Sequence, residues 1–368
     1  MLKSKKFFAA ALAVLALVCS ALLTSPGMAD GGANHQKRNT HFGVSGGNVK
    51  DISRRFCCSG TLGSLVTNGS TQYILSNNHV LARADQAAVG EDVSQPGLID
   101  NNCAVATLVA DFTTAVPLGQ NVDAALAQLR PGTMDSTGFI EDIGVPASTT
   151  VNPSVGLSVV KSGRTTGFTN GTISSINTSV SVRYPKSCGA SGGTAVSYTN
   201  QVVINSTTFS AGGDSGSLIL TSSGHNPVAL LFAGSSSATI GNPINEVMSK
   251  LSARLGGGSL NFVGTGTAAP VTFDASSALQ PYTPARGQMP ELPEQAVLHA
   301  SEVLDAHRDN LMNTPLVLGV GVGRSDDNDT DAAIIVYVDK TTGARPYLPK
   351  NLGGVKVIVQ LTEPFVAF

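Results

Sequence analysis

The chain has 368 residues, with 23 Lys and Arg against 25 Asp and Glu, a net charge of −2, and 42% hydrophobic residues. Near-neutral charge excludes the basic footprint of a nucleic-acid binder or of a protein held on an anionic membrane surface, and the length suits two or three packed domains. Trp is absent, aromatics make up 5% and 40 residues are Gly, a usage that fits many short strands joined by turns better than long helices.

Lys3, Lys5 and Lys6 open a targeting segment. An apolar run over 7–23 follows, and Pro26-Gly27-Met28-Ala29 supplies small residues for cleavage. Residues 1–29 therefore read as a signal peptide, with the mature chain starting near Asp30, secreted or periplasmic and without stable membrane insertion after cleavage. Cys57, Cys58, Cys103 and Cys188 remain after processing. That even number suits two disulfides in an oxidising compartment. Adjacent strand residues face opposite sides, so Cys57 and Cys58 take different partners. Pairing 57–103 with 58–188 and pairing 57–188 with 58–103 both satisfy this.

After a polar leader over 30–41 containing His35 and His41, ordered structure is expected from Phe42. Extended runs at 60–66 and 72–75 flank Asn68-Gly69 and read as a β-hairpin. Ser76-Asn77-Asn78-His79-Val80-Leu81 follows directly. Further on, Asp123 stands at the head of the apolar run 124–129, although Asp is depleted in strands and costly to bury alone.

Gly212-Gly213-Asp214-Ser215-Gly216-Ser217-Leu218 is the stretch that gives these residues a common purpose. A serine between glycines, entering the apolar run 218–220, suits a nucleophile on a tight loop. Glycines clear the approach and permit backbone angles that a β-carbon forbids. A hydroxyl needs a base to attack a carbonyl at neutral pH. Of the six histidines, His79 alone sits at a strand-to-loop junction within the main domain, since His225 lies in a loop and His299 and His307 in a C-terminal helical segment. A carboxylate accepting its other N–H would orient the ring, and Asp123 is the candidate.

The order His79, Asp123, Ser215 with their local motifs resembles the chymotrypsin-like (trypsin-fold) serine proteases. Lys161-Ser162-Gly163-Arg164-Thr165-Thr166-Gly167 with Gly171-Thr172-Ile173 is similar to the bacterial α-lytic type. Together with Leu231-Phe232-Ala233-Gly234, the set is closest to the subgroup that includes the plant narrow-leaf-type enzymes. The resemblance covers about 42–256 and implies a mainly β fold of two β-barrels, 42–135 and 150–256, with the active site between them. It implies a catalytic triad of His79, Asp123 and Ser215, an oxyanion hole made by the N–H groups of Gly213 and Ser215, and a protein or peptide substrate. The position where trypsins carry an Asp selecting basic residues is Phe209. Phe209, Ala233 and Gly234 then suggest a substrate pocket for small or apolar side chains. No new Ile-Val N-terminus is evident to pair with Asp214, so a local partner is expected, and Val80 replaces a family cysteine.

Past a helix expected at 246–255, residues 264–292 are rich in Thr, Ala and Pro and read as a linker. A small α+β domain over 293–368 follows, with a helix opened by Pro293 and strands at 316–322, 332–338 and 355–361. It is similar to a module attached to proteases of the same subgroup; its role, and the oligomeric state, are not legible. Gly319-x-Gly321-x-Gly323 lacks the following helix of a dinucleotide loop, and Asp327, Asp329 and Asp331 lack the turn Gly and closing Glu of a Ca²⁺ loop. No cofactor or metal is expected. An exported serine endopeptidase is the leading reading; a catalytically silent protein-binding scaffold and an esterase-type acyl hydrolase compete with it.

Overall fold

The computed structural model describes residues 33–190, 192–265, 290–328 and 330–368. The expected signal peptide and most of the expected linker lie outside the described residues.

The chain is mainly β. The first curled sheet is built from β1 (Val44–Asn48), β2 (Gly60–Leu62), β3 (Ser64–Thr67), β4 (Gln72–Ser76), β5 (Asp92–Gln95), β6 (Thr107–Ala115) and β7 (Ala125–Leu129), with the short helix α1 (Asn78–Leu81) between β4 and β5. Inward residues such as Phe42, Val44, Leu62, Ile74, Val109 and Leu126 are fully buried in one cluster. The hairpin at Asn68-Gly69 is present: Thr67 faces Gln72 across it, Gly69 takes a φ of +100°, and Asn68 Oδ1 accepts from the N–H groups of Ser70 and Thr71. His35, expected in the leader, is instead buried, its Nδ1 2.8 Å from the Gly43 carbonyl oxygen and its Nε2 2.9 Å from Asp142 Oδ2.

The second sheet contains β8 (Ser158–Gly163), β9 (Gly167–Thr172), β10 (Ser175–Pro185), β11 (Gly193–Asn205), β12 (Leu218–Thr221), β13 (Pro227–Gly234) and β14 (Ala238–Pro243). Helix α2 (Ile244–Arg254) then packs Ile244, Val247 and Leu251 back into the first cluster, and β15 (Asn261–Phe262) pairs with β3. The two barrels are thus stitched by a chain that returns from the second to the first.

The C-terminal part supplies α3 (Glu294–Met312), β16 (Val317–Arg324), β17 (Ala332–Asp339), β18 (Asn351–Leu352), β19 (Val355–Thr362) and β20 (Phe365–Ala367). Ala300, Leu304 and Leu311 on one face of α3 pack on Val320, Val322, Ile334 and Val336. Its strands do not form a free-standing sheet. β16 pairs antiparallel with β10, extending the second barrel's sheet to the order β18-β19-β17-β16-β10-β11-β14-β13-β12-β8-β9. β20 leaves this path and runs parallel to β10 and antiparallel to β13. Among the described residues, no helix is long and apolar enough to cross a membrane.

Two disulfides resolve the open pairing as Cys57–Cys103 and Cys58–Cys188. The second closes 130 residues and joins the first barrel to the β10–β11 connection. Replacing both Cys58 and Cys188 by Ala frees that long loop in the unfolded chain, and denaturant titration is expected to show a loss of about 2–4 kcal/mol.

Candidate active site

Asp123 is wholly buried between the barrels, and its carboxylate collects donors from both. His79 Nδ1 lies 2.6 Å from Oδ2, the His79 backbone N–H donates to Oδ1 at 3.2 Å, and the Tyr184 hydroxyl donates to Oδ2 at 2.8 Å. The backbone of Asp123 is gripped as well: its N–H donates to Asn242 Oδ1, and its carbonyl accepts from Asn77 Nδ2. His79 reaches this position because β4 ends at Ser76 and the chain turns into α1, whose N–H groups of Val80 and Leu81 donate back to the Asn77 carbonyl. Burial pushes the His79 imidazole toward its neutral form, but Asp123, the Phe368 carbonyl and Asp51 outweigh it and raise its pKa above the ordinary 6.5.

Ser215 sits, also buried, in the turn before β12. Its carbonyl accepts from the N–H of Thr61 in the first barrel. Gly213 and Gly216 take φ values of +98° and +95°. A β-carbon at Gly216 would lie 2.2 Å from both the Thr61 carbonyl oxygen and Ser76 Oγ, so only glycine lets the barrels approach here. The N–H groups of Gly213 and Ser215 have no hydrogen-bond partner among the described residues, while the intervening Asp214 N–H donates to Ala211. The structure brings His79 and Asp123 into contact. It does not join Ser215 to His79: Ser215 Oγ donates to the Phe232 carbonyl at 3.1 Å, and His79 Nε2 faces the Phe368 carbonyl oxygen at 3.0 Å.

Asp214 has a local partner, as expected. Lys161 Nζ lies 3.6 Å from its Oδ2, both side chains fully buried. The carboxylate also accepts from Thr166 Oγ1 at 2.7 Å and from the N–H groups of Thr165 and Ala211. Burial pushes the Lys161 ammonium down to about 8, with Asp214 opposing.

Phe209 is fully buried in the second barrel, in the cluster that holds Val202, Ile219 and Leu231. Ala233 and Gly234 end β13 and face β20. Beside His79 and Gly213 lies a cavity of about 260 Å³ whose wall includes Asp51, Arg164, Cys188 and Phe368. Among the described residues, no group of His, Cys, Asp and Glu could hold a metal ion. Sequence reasoning missed Tyr184 and Tyr198, whose hydroxyls lie 2.7 Å apart in a chain ending on Asp123. Tyrosine at inward strand positions carries no mark that separates such a donor from core packing.

The family model for trypsin matches residues 29–248. The chain belongs to the trypsin family. No curated protein sequence matches it. Among solved structures it is similar to Thermobifida fusca Protease A, 21% identical over 61% of this chain and 98% of that one with a TM-score of 0.41. It is also similar to Cellulomonas bogoriensis chymotrypsin, 18% identical over 61% and 99% with a TM-score of 0.41. A third is a serine protease described as glutamic acid specific, 21% identical over 60% and 98% with a TM-score of 0.42.

Replacing Lys161 by Met strands the buried Asp214 charge. Equilibrium denaturation is expected to show a loss of about 3–5 kcal/mol.

Proposed function

We propose that this chain is an exported serine endopeptidase. His79 Nε2 takes the Ser215 proton as Oγ bonds to the substrate carbonyl carbon, and the oxyanion receives the N–H groups of Gly213 and Ser215. Collapse breaks the C–N bond while His79 returns the proton to the leaving amine. Water then enters by the same route and releases the acyl group from Ser215. Asp123 holds the ring in the tautomer with the proton on Nδ1 and balances the imidazolium, and Tyr184 keeps that carboxylate oriented.

The observation that carries the reading is the pairing of His79 with a buried, hydrogen-bonded Asp123 beside a serine loop whose Gly213 and Ser215 N–H groups have no partner among the described residues. Lys161 supports it further, because it supplies internally the cation that steadies Asp214 and the loop around it. Phe209 in place of an acidic residue argues against cleavage after Arg or Lys. The basic and apolar N-terminal segment, with the two disulfides, supports a secreted or periplasmic location.

A fluorophosphonate should label Ser215, and Ser215→Ala should abolish labelling; folded protein that stays unlabelled both at full length and with residues 366–368 removed would refute the proposal. Tyr184→Phe removes one donor to Asp123 and should slow labelling about tenfold, the value of one hydrogen bond of roughly 1–1.5 kcal/mol.

A further inference from the structure

The segment Phe365-Val366-Ala367-Phe368 ends beside Ser215 and His79: the Phe232 carbonyl that takes the Ser215 hydroxyl also accepts from the Phe368 N–H. It runs antiparallel to the end of β13, with Ala367 opposite Ala233 and Val366 opposite Gly234. The Phe368 N–H donates to the Phe232 carbonyl at 3.3 Å, and the Phe368 carbonyl oxygen meets His79 Nε2. Side chains alternate as they do in a bound strand. Phe365 is buried against Tyr337, Val366 is exposed, and the Phe368 ring turns into the second barrel against the cluster containing Phe209 and Leu231. A β-carbon at Gly234 would lie 2.5 Å from Phe368 Cζ, so the ring fills the space this glycine leaves open. Beyond Phe368 the 260 Å³ cavity continues past His79 toward Asp51 and Cys188, leaving room for a chain on the far side of the scissile bond.

The approach to this position is pinned. Thr362 Oγ1 is 2.7 Å from Ser235 Oγ, and Glu363 binds Ser236 Oγ at 2.7 Å and Lys340 Nζ at 2.8 Å. The serine contacts fasten the arm to the loop after β13, and the Lys340 contact fastens it to the end of β17. Its occupation also explains why Ser215 and His79 are not joined. The Phe368 main-chain oxygen only accepts, so it takes up the face of Nε2 that Ser215 Oγ would need. With Nε2 engaged by the arm, that nitrogen is not available to Ser215 Oγ, which turns to the Phe232 carbonyl.

We infer that residues 365–368 occupy the acyl-side groove as a substrate mimic, so that the enzyme cleaves extended apolar peptides after Phe and its own arm competes with them. This rests on the serine endopeptidase reading. The groove takes Phe where the arm has Phe368, and a small residue, as Ala367, before it.

The test compares the full chain with a variant ending at Phe365, which keeps that ring in its cluster, and with full-length Phe368→Asp. Each is assayed with acetyl-Phe-Val-Ala-Phe-p-nitroanilide and with the matching Arg and Glu peptides, and Ser215 labelling by a fluorophosphonate is followed in parallel. Both variants should show a KM for the Phe peptide lower by about tenfold or more with kcat little changed, because a tethered competitor acts at a high effective concentration. The Phe peptide should exceed the Arg and Glu peptides in kcat/KM by about 100-fold, since the Phe368 ring packs on an apolar cluster that holds Phe209 and Leu231. Variants that label at Ser215 yet have an unchanged KM, or cleave the charged peptides as well as the Phe peptide, would overturn the inference and leave the enzyme reading intact. Absence of labelling in all three chains would overturn both.

Discussion

A carboxylate removed from water must be surrounded by donors, and at Asp123 those donors come from elements far apart in sequence. His79 arrives from the turn after β4, Tyr184 from β10, and Asn242, which holds the Asp123 backbone, from the end of β14. Satisfying this one charge therefore aligns the two barrels along their cleft and fixes the imidazole between them. The same demand is met at Asp214 by Lys161 and the Thr165-Thr166 turn, which sets the loop on which Ser215 rides. Both sites spend stability on buried charge and gain a defined geometry on either side of the cleft.

The C-terminal region is continuous with that geometry. Pairing of β16 with β10 makes its strands an extension of the second barrel, and β10 also carries Tyr184. A shift of β10 would thus be felt at Asp123 through the tyrosine hydroxyl and at β20 through its own pairing. The module and the Asp123 carboxylate are both anchored on β10, the first by strand pairing and the second by the Tyr184 hydroxyl.

Much of this was legible in the chain. Asn68-Gly69 between apolar runs specifies its hairpin because the turn admits few other residues, and the glycines around Ser215 announce a tight loop for the same reason. Asp123 stands out as a charge where charge is costly, and the expectation of a local partner for Asp214 does not name Lys161. Adjacency of Cys57 and Cys58 required different partners but could not choose between them, since pairing depends on how the barrels face each other. Tyr184 and the strand formed by 365–367 were illegible for a related reason. Tyrosine in a strand reads as core, and a short apolar segment contains no sign of which groove it will enter. The hairpin and the tight serine loop follow from local pattern, the two barrels from resemblance to a family, and what closes over them from long-range contact.

The state of His79 is the most direct measure of this account, because it reports the Asp123 charge, the completeness of its donors and the occupation of the cleft at once. Ring titration by NMR in Ser215→Ala protein is predicted to give a midpoint above 6.5, since Asp123 and the groups beside it outweigh burial and keep the proton bound to higher pH. Asp123→Asn should lower that midpoint. A midpoint at or below 6.5 in the parent, or no change on replacing Asp123, would contradict the account.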